Sequence, residues 1–169
     1  KKLYLRASGE LMFEGNYFLI GDVTSPLFDA TYKRVQSKPS FLSQNYSGQQ
    51  SSWTNSFKNE VSDNIRGQLK IRLGPVLLKP NVSFNRIGNH IYYDYDKLVA
   101  QADKDIVLLV PGLDFEWDLS DHWKWKSTFK YSSVSGDVKD VYRIPEIMVN
   151  SQIAFKNELF GGKMIVHTG

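Results

Sequence analysis

Apolar and polar side chains alternate along most of this chain with a period of two. That spacing gives an extended strand two unlike faces, whereas a helix repeats every 3.6 residues. In the first segment Leu3, Leu5, Ala7, Gly9, Leu11 and Phe13 fall on one side, and Lys2, Tyr4, Arg6, Ser8 and Glu10 on the other; only Met12 breaks step. Ile65, Gly67, Leu69, Ile71 and Leu73 alternate with Arg66, Gln68, Lys70 and Arg72. After Gly74-Pro75, Val76, Leu78, Pro80, Val82 and Phe84 alternate with Lys79, Asn81, Ser83 and Asn85, with Leu77 out of pattern. Leu113, Phe115, Trp117 and Leu119 oppose Asp114, Glu116 and Asp118, and Trp123, Trp125, Phe129 and Tyr131 oppose Lys124, Lys126, Thr128 and Lys130. Ile147, Val149, Ile153 and Phe155 oppose Asn150, Gln152, Lys156 and Glu158.

Turn signals separate these runs: Glu14-Gly15-Asn16, Pro26, Gly74-Pro75, Ser120-Asp121-His122 and Gly161-Gly162. The pattern predicts about ten strands of roughly 8–13 residues, near the ~9–11 that a tilted strand needs to cross a bilayer. Pro80 removes a ladder hydrogen bond, so a bulge or a sheet edge is expected there. Longer polar connections are expected at 37–52, 94–105 and 133–145, and short turns elsewhere. The best helical stretch, 96–104, is short and polar and is read as a loop.

No run approaches the roughly 18 apolar residues of a membrane-spanning helix. A β-barrel remains open, because alternating strands hide their lipid face from averaged hydropathy. A soluble β-sandwich alternates too, so accessory features decide. Aromatic residues make up 14% of the chain, and Trp117, Trp123 and Trp125 flank one tight turn. Such clustering at strand ends is what an interfacial girdle gives; Tyr92 and Tyr93 are also read as girdle aromatics. The polar faces carry carboxylates against ammonium groups, comfortable on a wetted wall. The expected lumen-lining set is Arg66, Lys70, Arg72, Asp114, Glu116, Asp118, Lys124, Lys126 and Lys130.

The chain has no cysteine, hence neither disulfides nor thiolate metal sites. Its 21 basic and 18 acidic residues give a net charge of +3 with signs mixed throughout, which does not favour nucleic acid. His90, His122 and His167 lack a second histidine at ligand spacing, so no metal is expected. No nucleophile elbow or phosphate-cradling glycine loop appears. Asp114, Glu116 and Asp118 at alternate positions span about 13 Å at ~3.3 Å per residue, which lines a wall and does not chelate one ion. Neither catalysis nor a cofactor is expected.

Several segments in order resemble the putative-porin family of Gram-negative outer membranes. They are Pro39-Ser40-Phe41-Leu42-Ser43-Gln44-Asn45-Tyr46, Trp53-Thr54-Asn55-Ser56-Phe57, Asn89-His90-Ile91-Tyr92-Tyr93-Asp94, Gln101-Ala102 and Arg143-Ile144-Pro145-Glu146. The resemblance implies an outer-membrane β-barrel with a pore-like, passive-transport role, on a chain longer than this one.

The expectation is therefore an all-β, antiparallel up-and-down transmembrane barrel, with residues 1–169 as one segment of a larger barrel cut at both ends. Its surroundings would be outer-membrane lipid and other outer-membrane subunits. Two other readings stand beside the diffusion channel. One is a soluble or peripheral β-rich module that binds glycan or protein through Tyr92, Tyr93 and the tryptophans. The other is a non-conducting structural barrel.

Overall fold

The structure is a computed structural model and describes residues 2–135, 144–159 and 164–168. In chain order the strands are β1 (Tyr4–Leu11), β2 (Tyr17–Thr24), β3 (Phe28–Ser37), β4 (Asn45–Ser47), β5 (Ser52–Thr54), β6 (Glu60–Leu69), β7 (Ile71–Leu73) and β8 (Val76–Gly88). They continue as β9 (Ile91–Tyr93), β10 (Val99–Gln101), β11 (Ile106–Asp118), β12 (Trp123–Tyr131), β13 (Ser133–Ser135), β14 (Ile147–Leu159) and β15 (Met164–Thr168). One helical turn, α1 (Phe41–Gln44), is capped by Ser40, whose hydroxyl accepts from the Ser43 N–H at 3.2 Å.

One sheet dominates, in the order β1-β2-β3-β6-β8-β11-β12-β14-β15, with β7 beside β8 and β13 beside β11. Every pairing is antiparallel. Each long strand lies beside its neighbour in the chain, so the sheet is an up-and-down meander of nine steps, close to the ten expected. The described strands form an open sheet with β1 and β15 at its edges, not a closed ring. The small pairs β4–β5 and β9–β10 stand apart from it.

Connections at one end of the sheet are short. Leu73 pairs with Val76 across the two-residue turn Gly74-Pro75, and Gly74 supplies the positive φ (59°) that such a turn needs at its first central position. Residues 25–27 and 119–122 make the other described turns at this end; the turn expected at Gly161-Gly162 lies outside the described residues. At the opposite end two long connections run over 38–59 and 89–105, and a third follows β13, largely outside the described residues.

Pro80 makes neither a bulge nor an edge. The pairings Gln68↔Asn81 and Ile71↔Leu78 share one register, so no residue is inserted between them. The ladder is merely interrupted at Leu69–Lys70, opposite the proline that has no N–H to give, while on the other side the Lys70 N–H continues the β3 register by donating to the Leu27 carbonyl at 2.8 Å. Pro111 does the same to its neighbour. The pairing Gly112↔Lys130 and the pairing Leu109↔Ser133 also share a register, and β12 parts from β13 beside Pro111. Both prolines thus sit inside central strands at the cost of two ladder positions each.

Very little of this protein is buried. The buried apolar residues among those described are Pro39, Val99, Ala102, Ile106 and Leu108, and only Ile106 is fully enclosed. They cluster at the long-loop end of the sheet.

Candidate functional site

Residues paired across an antiparallel ladder point to the same side of the sheet, so the registers assign every wall residue to one of two faces. One face carries Leu5, Leu19, Val23, Phe28, Ile65, Leu69, Leu78, Val82, Phe84, Leu109, Leu113, Phe115, Phe129, Val149 and Ile153. No layer formed by the described residues covers it. Ile65, Val149 and Ile153 are 51%, 65% and 55% exposed, where a soluble sheet would pack a second layer.

The apolar face is a band with defined ends. At the long-loop end a row of alternating charge crosses the sheet, Arg34↔Asp63↔Arg86, and these are its only charged residues among the described strand positions. All three are paired. Arg34 meets Asp63 at 3.5 Å, and Arg86 donates to Asp105 at 2.7 Å. Tyr32 donates to Asp63 at 2.9 Å, and the Tyr17 hydroxyl accepts from Arg34 at 3.1 Å. At the short-turn end Trp117 lies across from Trp125, their rings 6.3 Å apart, while Trp123 meets Phe155 at 4.8 Å. Between the two limits β8 presents Val76 to Phe84, eight residue steps or about 27 Å along the strand at ~3.4 Å per residue. A 35–45° tilt reduces that to roughly 20 Å, close to the ~25 Å apolar band of an outer-membrane barrel.

Two polar side chains inside the band find partners within the protein. The Trp125 indole N–H donates to the Ser151 hydroxyl at 2.8 Å, and the Ser127 hydroxyl donates to the Asn150 carbonyl at 3.2 Å.

The opposite face is polar and cross-linked. All nine residues of the expected lumen set lie on it: Arg66, Lys70, Arg72, Asp114, Glu116, Asp118, Lys124, Lys126 and Lys130. Asp114 is a hub, accepting from Thr128 at 2.8 Å, Asn81 at 3.1 Å and Gln68 at 3.2 Å. Glu116 pairs with Lys79, Asp118 with Lys124 at 3.0 Å, and Asp29 with Lys70 at 2.6 Å. Arg6 pairs with Asp22 at 2.8 Å, two partners outside that set. Gly112 leaves room for the hub, since a Cβ there would stand 2.9 Å from the Asn81 side-chain oxygen.

One end of the polar face is apolar. Phe18, Val35, Ile87 and Ile106 share a row broken only by Ser62, and the long loops gather at that end. Ile106 and Leu108 are buried while Leu109, on the other face, is exposed. What covers them therefore lies on the polar side, together with the buried loop residues Val99 and Ala102. The loops are tied to each other. Asn55 donates to the carbonyls of Ser43 at 3.2 Å and Val99 at 3.4 Å, and the Glu60 carboxylate takes His90 at 2.9 Å and the Ile91 N–H at 3.2 Å. Trp53 stacks on Tyr46 at 4.6 Å and meets Tyr93 edge-on at 6.5 Å.

Tyr92 and Tyr93 thus belong to this loop cap and not to the tryptophan row: β8 ends at Gly88, and Asn89, with φ 58°, turns the chain off the wall. Sequence reasoning missed the Arg34–Asp63–Arg86 row and the tyrosines beside it. It also missed the apolar row under the loops. Among the described residues no three carboxylate or histidine side chains converge as a metal site. His122 stacks on Phe155 at 6.2 Å, and the side chain of His167 lies outside those described. No described helix is long and apolar enough to cross a membrane, which says nothing of strands.

A family model described as putative porin matches residues 1–169. No curated protein and no solved structure matches the chain.

Proposed function

The chain belongs to the putative-porin family, and from that premise we propose that it forms wall of an outer-membrane β-barrel through which small hydrophilic solutes diffuse passively. The observation that carries this reading is the uncovered apolar band, closed at one end by tryptophans and at the other by a paired charge row. Apolar surface left in water costs about 25 cal/mol per Å²; hydrocarbon against the band removes that cost. With lipid on that side, the polar face lines the aqueous path, and its ion-paired carboxylates and lysines meet the solute. The surrounding lipid demands closure, because an unpaired strand edge has no water to satisfy it. The outer edges of β1 and β15 therefore find partners in further strands.

The loop cap gives some weight to a second reading, a barrel that serves as a scaffold without conducting, since the cap lies over the polar face. Planar-bilayer recording on the full-length protein separates the two. Stepwise ohmic conductance is expected for the channel. A protein that inserts into the bilayer yet stays silent would support the scaffold, and a monomer extracted in plain buffer without detergent would overturn both.

A further inference from the structure

At the short-turn end of the polar face, the turn 119–122 and the strands β12 and β14 enclose a cleft of about 550 Å³. Lys124, Lys126 and Lys156 line it with Gln152 and His122, over Ala154 as floor. The registers Lys124↔Ala154 and Lys126↔Gln152 set these residues on one side of two neighbouring strands. Lys156 follows two residues beyond Ala154 on the same face, held where its N–H donates to the His122 carbonyl at 2.8 Å.

The carboxylates nearby are mostly engaged. Asp118 is bound by Lys124, and Glu116, across from Lys126, is bound by Lys79. Among the described residues Lys126 and Lys156 have no ion-pair or hydrogen-bonding side-chain partner, and Asp121 is the remaining acid of the cleft. The local balance is therefore positive. Lys126, with Gln152 directly across from it, and Lys156, two rows further along the same face, hold their donors apart, which suits an anion with several oxygens better than a monatomic ion, because each donor then finds its own acceptor.

We propose that Lys126, Lys156 and Gln152, with Lys124 in the row between them, form a binding subsite for a multivalent oxyanion of the phosphate class. It deepens the channel reading and rests on it for access from solution: a solute travelling along the polar face meets this positive cleft at its short-turn end. A concave surface lined by one sign of charge raises the local concentration of counter-ions, and the effect weakens as salt rises.

The test uses the full-length protein and inorganic phosphate, with two readouts. In planar bilayers, phosphate is titrated against a chloride current. In a phosphate-free maltoside detergent, which excludes a lipid headgroup as the source, line broadening of the phosphate ³¹P resonance reports binding directly. Concentration-dependent block and broadening are expected, both weakened at least five-fold in the double variant Lys126→Gln/Lys156→Gln. The double variant Arg6→Gln/Lys33→Gln removes equal charge from the same face elsewhere, outside the lumen set, and should change neither by more than two-fold. If both double variants weaken phosphate equally, or phosphate acts no differently from chloride, the subsite is overturned while the channel stands. Broadening that depends on Lys126 and Lys156 without any current would keep the subsite and overturn the channel.

Discussion

Gln101 and Lys58 hold each other twice: the Lys58 N–H donates to the Gln101 side-chain oxygen at 3.0 Å, and the Gln101 side-chain N–H donates back to the Lys58 carbonyl at 2.8 Å. The amide of one loop thereby completes the backbone of the other, as a neighbouring strand would. The same side chain also donates to the Asn89 carbonyl at 2.9 Å.

Replacing Gln101 with Ala removes all three bonds and leaves the exposed Lys58 backbone to water. A broken pair of this kind costs about 1–3 kcal/mol. Amide exchange across residues 53–60 and 89–101 should quicken by roughly 5- to 150-fold, while the urea midpoint of the wall strands stays unchanged. Equal loosening of both would mean that loops and wall unfold as one unit.

Val149 and Asn150 are adjacent yet lie on opposite faces. Val149→Arg puts a cation into the apolar band and should lower the unfolding free energy in lipid vesicles by about 2 kcal/mol. Asn150→Arg adds the same charge to the polar face and should stay within about 0.5 kcal/mol. A one-residue error in register would reverse the order of the two.

Asp114→Leu keeps a side chain of similar size but orphans the donors of Gln68, Asn81 and Thr128. Urea unfolding should show a loss of about 2–4 kcal/mol, with more from the stranded donors than from the bonds themselves. Asp114→Asn, which keeps an acceptor oxygen, should recover part of it.

Two strand glycines differ in the space beside them. A Cβ at Gly112 would meet the Asn81 oxygen at 2.9 Å and the Phe129 carbonyl at 3.0 Å, whereas at Gly67 nothing stands within 4 Å. Gly112→Ala should therefore cost about 1–3 kcal/mol through crowding. Gly67→Ala should be neutral or gain up to about 1 kcal/mol, because alanine loses less backbone freedom on folding. Thermal unfolding of the two variants in parallel checks the contrast.

Faces were readable in the sequence because they depend on alternation alone. The tryptophan row was readable because Trp117, Trp123 and Trp125 lie within one hairpin. The charge row was hidden: Arg34, Asp63 and Arg86 come from three strands, and only the register brings them level. Phe18, Val35, Ile87 and Ile106 were hidden for the same reason, and because each reads locally as a lapse in alternation at a strand end. Pro80 misled for a different reason. A missing N–H was expected to bend or expose the strand, yet two skipped ladder positions, at Leu69 and Lys70, are enough. Tyr92 and Tyr93 carried girdle chemistry, but their place depended on where β8 ends, which Asn89 decides.

In the meander each long strand pairs with the wall strand made just before it, so the wall can be laid down hairpin by hairpin, the longest described connection to close being 38–59. The bond from Asn55 to Val99 spans 44 residues and needs β6 and β8 already standing between its ends. Closing so long a loop is entropically slow unless the intervening chain is ordered first. The order of events is thus written into the topology: wall first, cap last.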